Sequence, residues 1–272
     1  MNGFQPVVPL PGYAGWTFLN RTLESQQQAH DKSPVLQREV AYFKENIGNV
    51  KTAEDLVNDR TMLKVALGAF GLDEDINNKY FLRKVLEDGT LDTAALANRL
   101  SDKRYFEFSK AFGFGDFKVA NTQLSEFGTR ITSAYKERQF EVAIGEQSEN
   151  MRLALGLQRQ LGTLADRDIS DNAMWFTIMG ETPLRTVFET ALGLPKSFGA
   201  LDLDKQLEIF KDRTQSQFGD SNIAQFSDPE KQEDLIRVFL LRSETQIQNS
   251  FVQSGQTALS LLQNSWGPGL YL

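Results

Sequence analysis

An apolar run closed by Ala-(Phe/Leu)-Gly-(Leu/Phe) occurs three times, as Ala69-Phe70-Gly71-Leu72, Ala111-Phe112-Gly113-Phe114 and Ala191-Leu192-Gly193-Leu194. Glycine just past the last apolar residue of a helix can take the left-handed conformation that closes it. The apolar residue after it can then fold back onto the last turn. Each copy therefore predicts a helix stop. A phosphate-cradling loop needs several glycines between a strand and a helix, and no copy has them.

The starts agree with the stops. Ser33-Pro34, Thr182-Pro183 and Ser227-Asp228-Pro229 each set a capping residue before a proline suited to the first turn. Thr52 and Asp55 have capping-box spacing, and Asp59 or Arg60 opens the run that ends at Gly71. Short helices with tight turns fill the region from Pro34 to Phe112. Val35, Leu36, Val40 and Phe43 lie at helical spacing in one of them, and Ile76, Tyr80, Phe81 and Val85 in another. No proline occurs between Pro34 and Pro183, and no run of four β-branched residues bounded by turn signals marks a strand.

Leu124, Phe127, Ile131, Tyr135 and Val142 then form one apolar stripe, which Met151, Leu155 and Leu161 resume. Unbroken, residues 117–165 make a helix of roughly 70 Å. A hairpin broken near the polar stretch Gly145–Asn150 is the alternative, and one long helix is favoured. A sustained heptad is absent, so a parallel coiled-coil dimer is not expected. Asp171 is expected to cap the next helix, Leu201–Phe210 to form another, and Asp212–Phe218 a further short turn. The fold class is all-α, a multi-helix bundle of short helices with helical sub-repeats and one long central helix. Its divisions are an arm and first helix (1–30), a first helical subdomain (31–116), the central segment (117–165) and a second subdomain with an apolar tail (166–272), or all of these as one compact domain.

Chemistry is largely excluded. The 272-residue chain has no cysteine and a single histidine, His30, so thiol catalysis, thiolate metal sites and two-histidine sites are ruled out. A net charge of −7 disfavours nucleic acid as partner. No window has the roughly 18 consecutive apolar residues of a membrane span. The N-terminus lacks the basic region of a cleaved secretory signal. The acidic pairs Asp73-Glu74-Asp75, Asp166-Arg167-Asp168 and Asp202-Leu203-Asp204 stand at helix starts, where acids cap and complement the dipole. Asp166 and Asp168 have the first spacing of a calcium loop, but Asp171 and Thr177 stand where that loop needs Gly and Glu. His30, in a polar run, reads as solvated. No catalytic, cofactor or metal residue is assigned.

The ends stand apart. Val7, Val8, Leu10, Tyr13 and Trp16 near the start, and Trp266 and Tyr271 near the end, lie in charge-free segments bearing Gly and Pro. Such segments clip onto the protein's own body or dock on another molecule. These seven are the candidate interaction residues.

The phrases Pro34-Val-Leu-Gln-Arg-Glu-Val-Ala-Tyr-Phe43, Phe70-Gly-Leu72, Phe81-Leu-Arg-Lys-Val-Leu-Glu87 and Leu100-Ser-Asp-Lys-Arg-Tyr105 through Phe114 resemble the DUF1217 family. So does the block from Trp175 to Leu194, followed by Asp228 to Arg242. This is a family of all-helical bacterial proteins of unknown biochemical function, often encoded near flagellar genes. The resemblance carries no catalytic residue. It implies a non-enzymatic interaction protein linked to flagellar assembly or motility, with flagellar protein partners, either cytoplasmic or exported with that apparatus. The alternative is an enzyme or small-ligand binder with an acidic pocket assembled from distant helices.

Overall fold

The three glycine stops close helices as their chemistry requires. Gly71 and Gly113 are left-handed C-caps, at φ 69° and 68°, and Gly193 also has positive φ at 64°. After Gly71 and Gly193 the next N–H reaches back five residues, closing a six-residue turn, Leu72 to the Leu67 carbonyl (3.0 Å) and Leu194 to the Glu189 carbonyl (2.8 Å). That is the Schellman pattern. Gly113 donates to Ser109 in the simpler five-residue form. Leu72 is buried, and Phe114 and Leu194 pack against the core.

A computed structural model describes residues 4–165 and 167–246. Trp266, Tyr271 and the expected continuation of the last helix lie outside the described residues. Within them the chain forms thirteen α-helices and no strand. These are α1 (Gly12–Asp31), α2 (Pro34–Asn46), α3 (Ala53–Asn58), α4 (Arg60–Phe70), α5 (Lys79–Asp88), α6 (Leu96–Arg99), α7 (Arg104–Phe112), α8 (Phe127–Gly145), α9 (Glu149–Ala165), α10 (Asp171–Gly180), α11 (Thr182–Ala191), α12 (Leu203–Phe218) and α13 (229–246). No described helix is long and apolar enough to cross a membrane.

The helices build two apolar cores. The first gathers α2–α5, α7 and the N-terminal half of α8, through Phe43, Leu63, Leu82, Phe108, Phe127 and Tyr135. The second gathers α9–α13, with Phe140 and Ile144 from the C-terminal half of α8 and Trp16 and Leu19 from α1. Helix α8 thus runs through both cores. Helix α1 packs in the core that the end of the chain completes, not in that of the helices following it.

Several expectations are corrected. The favoured long central helix is two helices, α8 and α9, packed against each other. Residues 146–148 break it for local reasons. Ser148 caps α9, its Oγ accepting from the Met151 N–H at 3.4 Å. A Cβ at Gly145 would lie 2.6 Å from Arg152 Cδ, so the Arg152 side chain lies directly over the glycine. Leu124 and Val142 are exposed at the ends of the stripe, and Tyr80 and Val35 also point outward. Ser170, not Asp171, caps α10, accepting from Ala173 N–H at 3.3 Å. Leu203–Phe218 is one helix instead of a helix and a turn. Phe210, Thr214 and Phe218 recur at four-residue spacing as its buried stripe, while Asp212 and Arg213 lie on its other faces. Thr182 is inside α11 rather than its cap. The Thr52/Asp55 capping box and the Asp59 cap form as expected.

Candidate functional site

Of the sequence-marked end residues, the structure describes five. The arm is pinned along its backbone. The Gln26 amide accepts from the Val7 N–H (2.6 Å) and donates to the Val7 carbonyl (3.1 Å). The Gln147 amide accepts from Val8 N–H (3.2 Å) and donates to the Pro6 carbonyl. Pinned this way, Val7 and Leu10 point outward, 50% and 51% exposed. Val8 and Tyr13 lie half-buried against the second core. Trp16 is wholly buried, and its indole N–H donates to both carboxylate oxygens of Glu233 on α13 at 3.0 Å. It therefore serves the protein's own body. Burial raises the Tyr13 phenol above its ordinary value, and Glu233 adds to the rise.

His30 is only partly solvated. Its ring meets Phe140 edge-on at 5.7 Å, and its Nδ1 is buried without a partner among the described residues. Burial lowers its pKa, against an opposing pull from Asp31.

A second site, unmarked by any sequence motif, lies where the two cores meet. It is a cavity of about 130 Å³, partly open to solvent. Phe70 at the end of α4, Arg104 and Glu107 of α7, and Arg138 of α8 approach from the first-core side. Arg159 and Gln160 of α9, with Arg167, Glu181 and Leu184, complete the wall. The expected ligand pocket was acidic. This one presents four guanidinium groups and two carboxylates.

Three of the arginines are already engaged. Arg104 grips Asp102 with Nε (3.0 and 3.1 Å) and Nη2 (2.6 Å), while its Nη1 donates to the Gly71 carbonyl. That last bond places a cation at the C-terminus of α4, where the helix dipole favours it. Arg159 holds Glu141 in a two-pronged pair, at 2.7 and 3.1 Å. Arg167 lies 3.3 Å from Glu107. Arg138 differs, with no hydrogen bond or ion pair among the described residues. Burial first, then the neighbouring Arg159, pulls its guanidinium down to about 10. Glu181 is likewise without a paired partner among them, and burial raises its carboxyl pKa against the pull of Arg138 and Arg104. The side-chain oxygen of Gln160 is buried with no donor among the described residues.

Gly71 makes the packing possible. A Cβ there would lie 2.8 Å from Arg138 Nη1 and 3.6 Å from Arg104 Nη1. The glycine that ends α4 is thus also the floor against which two guanidinium groups close. The sequence pointed to Phe70 and Gly71 as a helix stop but not to the arginines. They come from separate helices, and no spacing links them. Glu141 stands three residues after Arg138, where a local pair would form, yet it turns to Arg159.

A family model described as a protein of unknown function, DUF1217, matches residues 69–232, more than half of the chain. The chain belongs to the DUF1217 family. A crystal structure of protein AGR_C_984 from Agrobacterium tumefaciens is similar over 89% of this chain and 99% of its own, with 28% identity and a TM-score of 0.72. No curated protein matches. The DUF1217 segment contains every residue that lines the cavity, from Phe70 to Leu184, and none of the N-terminal arm.

Proposed function

We propose that this DUF1217 protein acts by binding other proteins rather than by catalysis, as a structural, accessory or chaperone-like component of flagellar assembly or motility. The observation that carries this reading is the arm. Its backbone is fixed by Gln26 and Gln147, so Val7 and Leu10 are held outward on a segment that has already lost its conformational freedom. Apolar side chains presented in this way bind at a smaller entropic cost than a loose tail. The acids marked in the sequence support the same reading. Asp73 accepts from Gln139, and Asp75 from Asn78 and Tyr105, so these carboxylates are engaged in structure. The flagellar context comes from the family resemblance.

The test is a tagged full-length protein in the bacterium that makes it, with and without the pair Val7→Asp and Leu10→Asp. Cross-linked cell, supernatant and flagellar fractions are compared. The native chain is expected to capture a flagellar partner that the double variant loses, with melting unchanged within about 0.5 kcal/mol, as is usual for exposed positions. Capture that survives the double substitution would remove the arm as the docking element. Absence of both captured flagellar protein and flagellar signal would remove the flagellar reading.

A further inference from the structure

The arginine-lined cavity between the two cores has no part in the role of the arm. Its chemistry is unbalanced in a specific way. Carboxylates neutralise Arg104, Arg159 and Arg167, whereas Arg138 stands among them with no hydrogen-bond acceptor from the described residues. A half-buried guanidinium presents up to five donors in a planar fork, a shape matched by carboxylate and phosphate groups. On the same wall, Glu181 presents a carboxylate with no hydrogen-bond donor among the described residues. The wall therefore lacks an oxyanion at one point and a hydrogen-bond donor at another.

We propose that this cavity binds a small molecule that joins an oxyanion, carboxylate or phosphate, to a hydroxyl or amine donor. The oxyanion meets Arg138, and the donor meets Glu181. Size limits the ligand. An apolar cavity of about 150 Å³ takes benzene, so the 130 Å³ of this partly open cavity seats a group of about six non-hydrogen atoms. Hydroxy acids, small amino acids and inorganic phosphate fit that size. A nucleotide would have to leave most of itself outside. Phe70 and Leu184 supply apolar wall beside the polar groups, the usual composition of a small-ligand site. Because α7 and α8 contribute from one side and α9 to α11 from the other, the occupant also bridges the two cores.

Full-length protein is titrated calorimetrically with L-lactate, L-serine and inorganic phosphate, against sodium chloride at equal ionic strength. At least one probe is expected to bind once per chain with a dissociation constant at or below about 1 mM, a level that calorimetry resolves. Lactate alone, serine alone or phosphate alone identifies the hydroxy-acid, amino-acid or phosphate source. Arg138→Gln is expected to weaken that binding at least tenfold. Arg138→Lys, which keeps the charge but loses the fork, is expected to weaken it less and serves if the glutamine variant does not fold. Glu181→Gln is expected to weaken serine most, since its ammonium gains most from a carboxylate. No saturable binding of any probe up to 10-fold above that ~1 mM level, or binding unaltered in both Arg138 variants, overturns the proposal.

Discussion

Gly71 carries two duties in one residue. It holds φ at 69°, a conformation costing about 1–2 kcal/mol for a residue with a side chain, and it leaves room for Arg138. Gly71→Ala is expected to lower the unfolding free energy by about 1–2 kcal/mol, read from the urea midpoint. Most of that cost is backbone, since the atom the new methyl would meet is the far end of a mobile side chain. Gly48→Ala is the control. Among the described residues nothing lies within 4 Å of where a Cβ at Gly48 would stand, so that change should be neutral or stabilise by about 0.5 kcal/mol. Equal losses at both positions would refute the assignment of strain to Gly71. His30 gives a prediction in pH. Its folded pKa lies below the 6.5 of the free side chain because burial penalises the cation, so the unfolded chain binds the proton more readily. The stability it supports is complete above pH 6.5 and is lost as pH falls through 6.5 toward the folded value. In His30→Leu that part of the acid loss should vanish from thermal melts between pH 7 and about 5. An identical pH slope in both proteins would remove His30 as the source.

At the level of elements, α8 and α9 form a hairpin tied by Glu141 and Arg159, whose side chains are only 11% and 19% exposed. Removing one charge leaves the other largely buried. Glu141→Gln is therefore expected to cost about 2–3 kcal/mol, below the range for fully buried pairs because some water reaches this one. Glu141→Leu combined with Arg159→Met should recover at least half of that loss. A coupling below about 0.5 kcal/mol in the double-mutant cycle would show that the pair does not hold the hairpin. Helix ends were legible in the sequence wherever the signal is local. Thr52 with Asp55, Asp59, Gly71, Gly113 and Gly193 each fix a terminus through bonds within six residues. The break between α8 and α9 was less so. The apolar stripe continues across it, and the reasons for the turn are the close return of Arg152 past Gly145 and the use of Gln147 to hold the arm.

For the whole molecule, one helix passing through both cores predicts shared unfolding. Trp16 and Trp175 both lie in the second core. In a Trp266→Phe background their fluorescence reports that core alone, whereas far-ultraviolet circular dichroism reports all helices. The two denaturation curves should coincide. Separate midpoints would mean that α8 does not couple the halves. The all-α class could be read from periodicity and caps because both are properties of neighbouring residues. The cavity could not be, since Arg104, Arg138 and Arg159 become neighbours only after the cores pack. The burial of Trp16 was hidden for the same reason, its partner Glu233 lying 217 positions away. That separation also has a meaning in time. At roughly 5–20 residues per second of synthesis, Trp16 and Leu19 leave the ribosome roughly 10–40 seconds before the chain makes α13. Helices α8 and α9 seat part of the inner face of α1 earlier, but until α13 is made the Trp16 indole N–H lacks its partner Glu233, so the newborn chain must shield that edge of α1, or tolerate it open, for the whole of that interval.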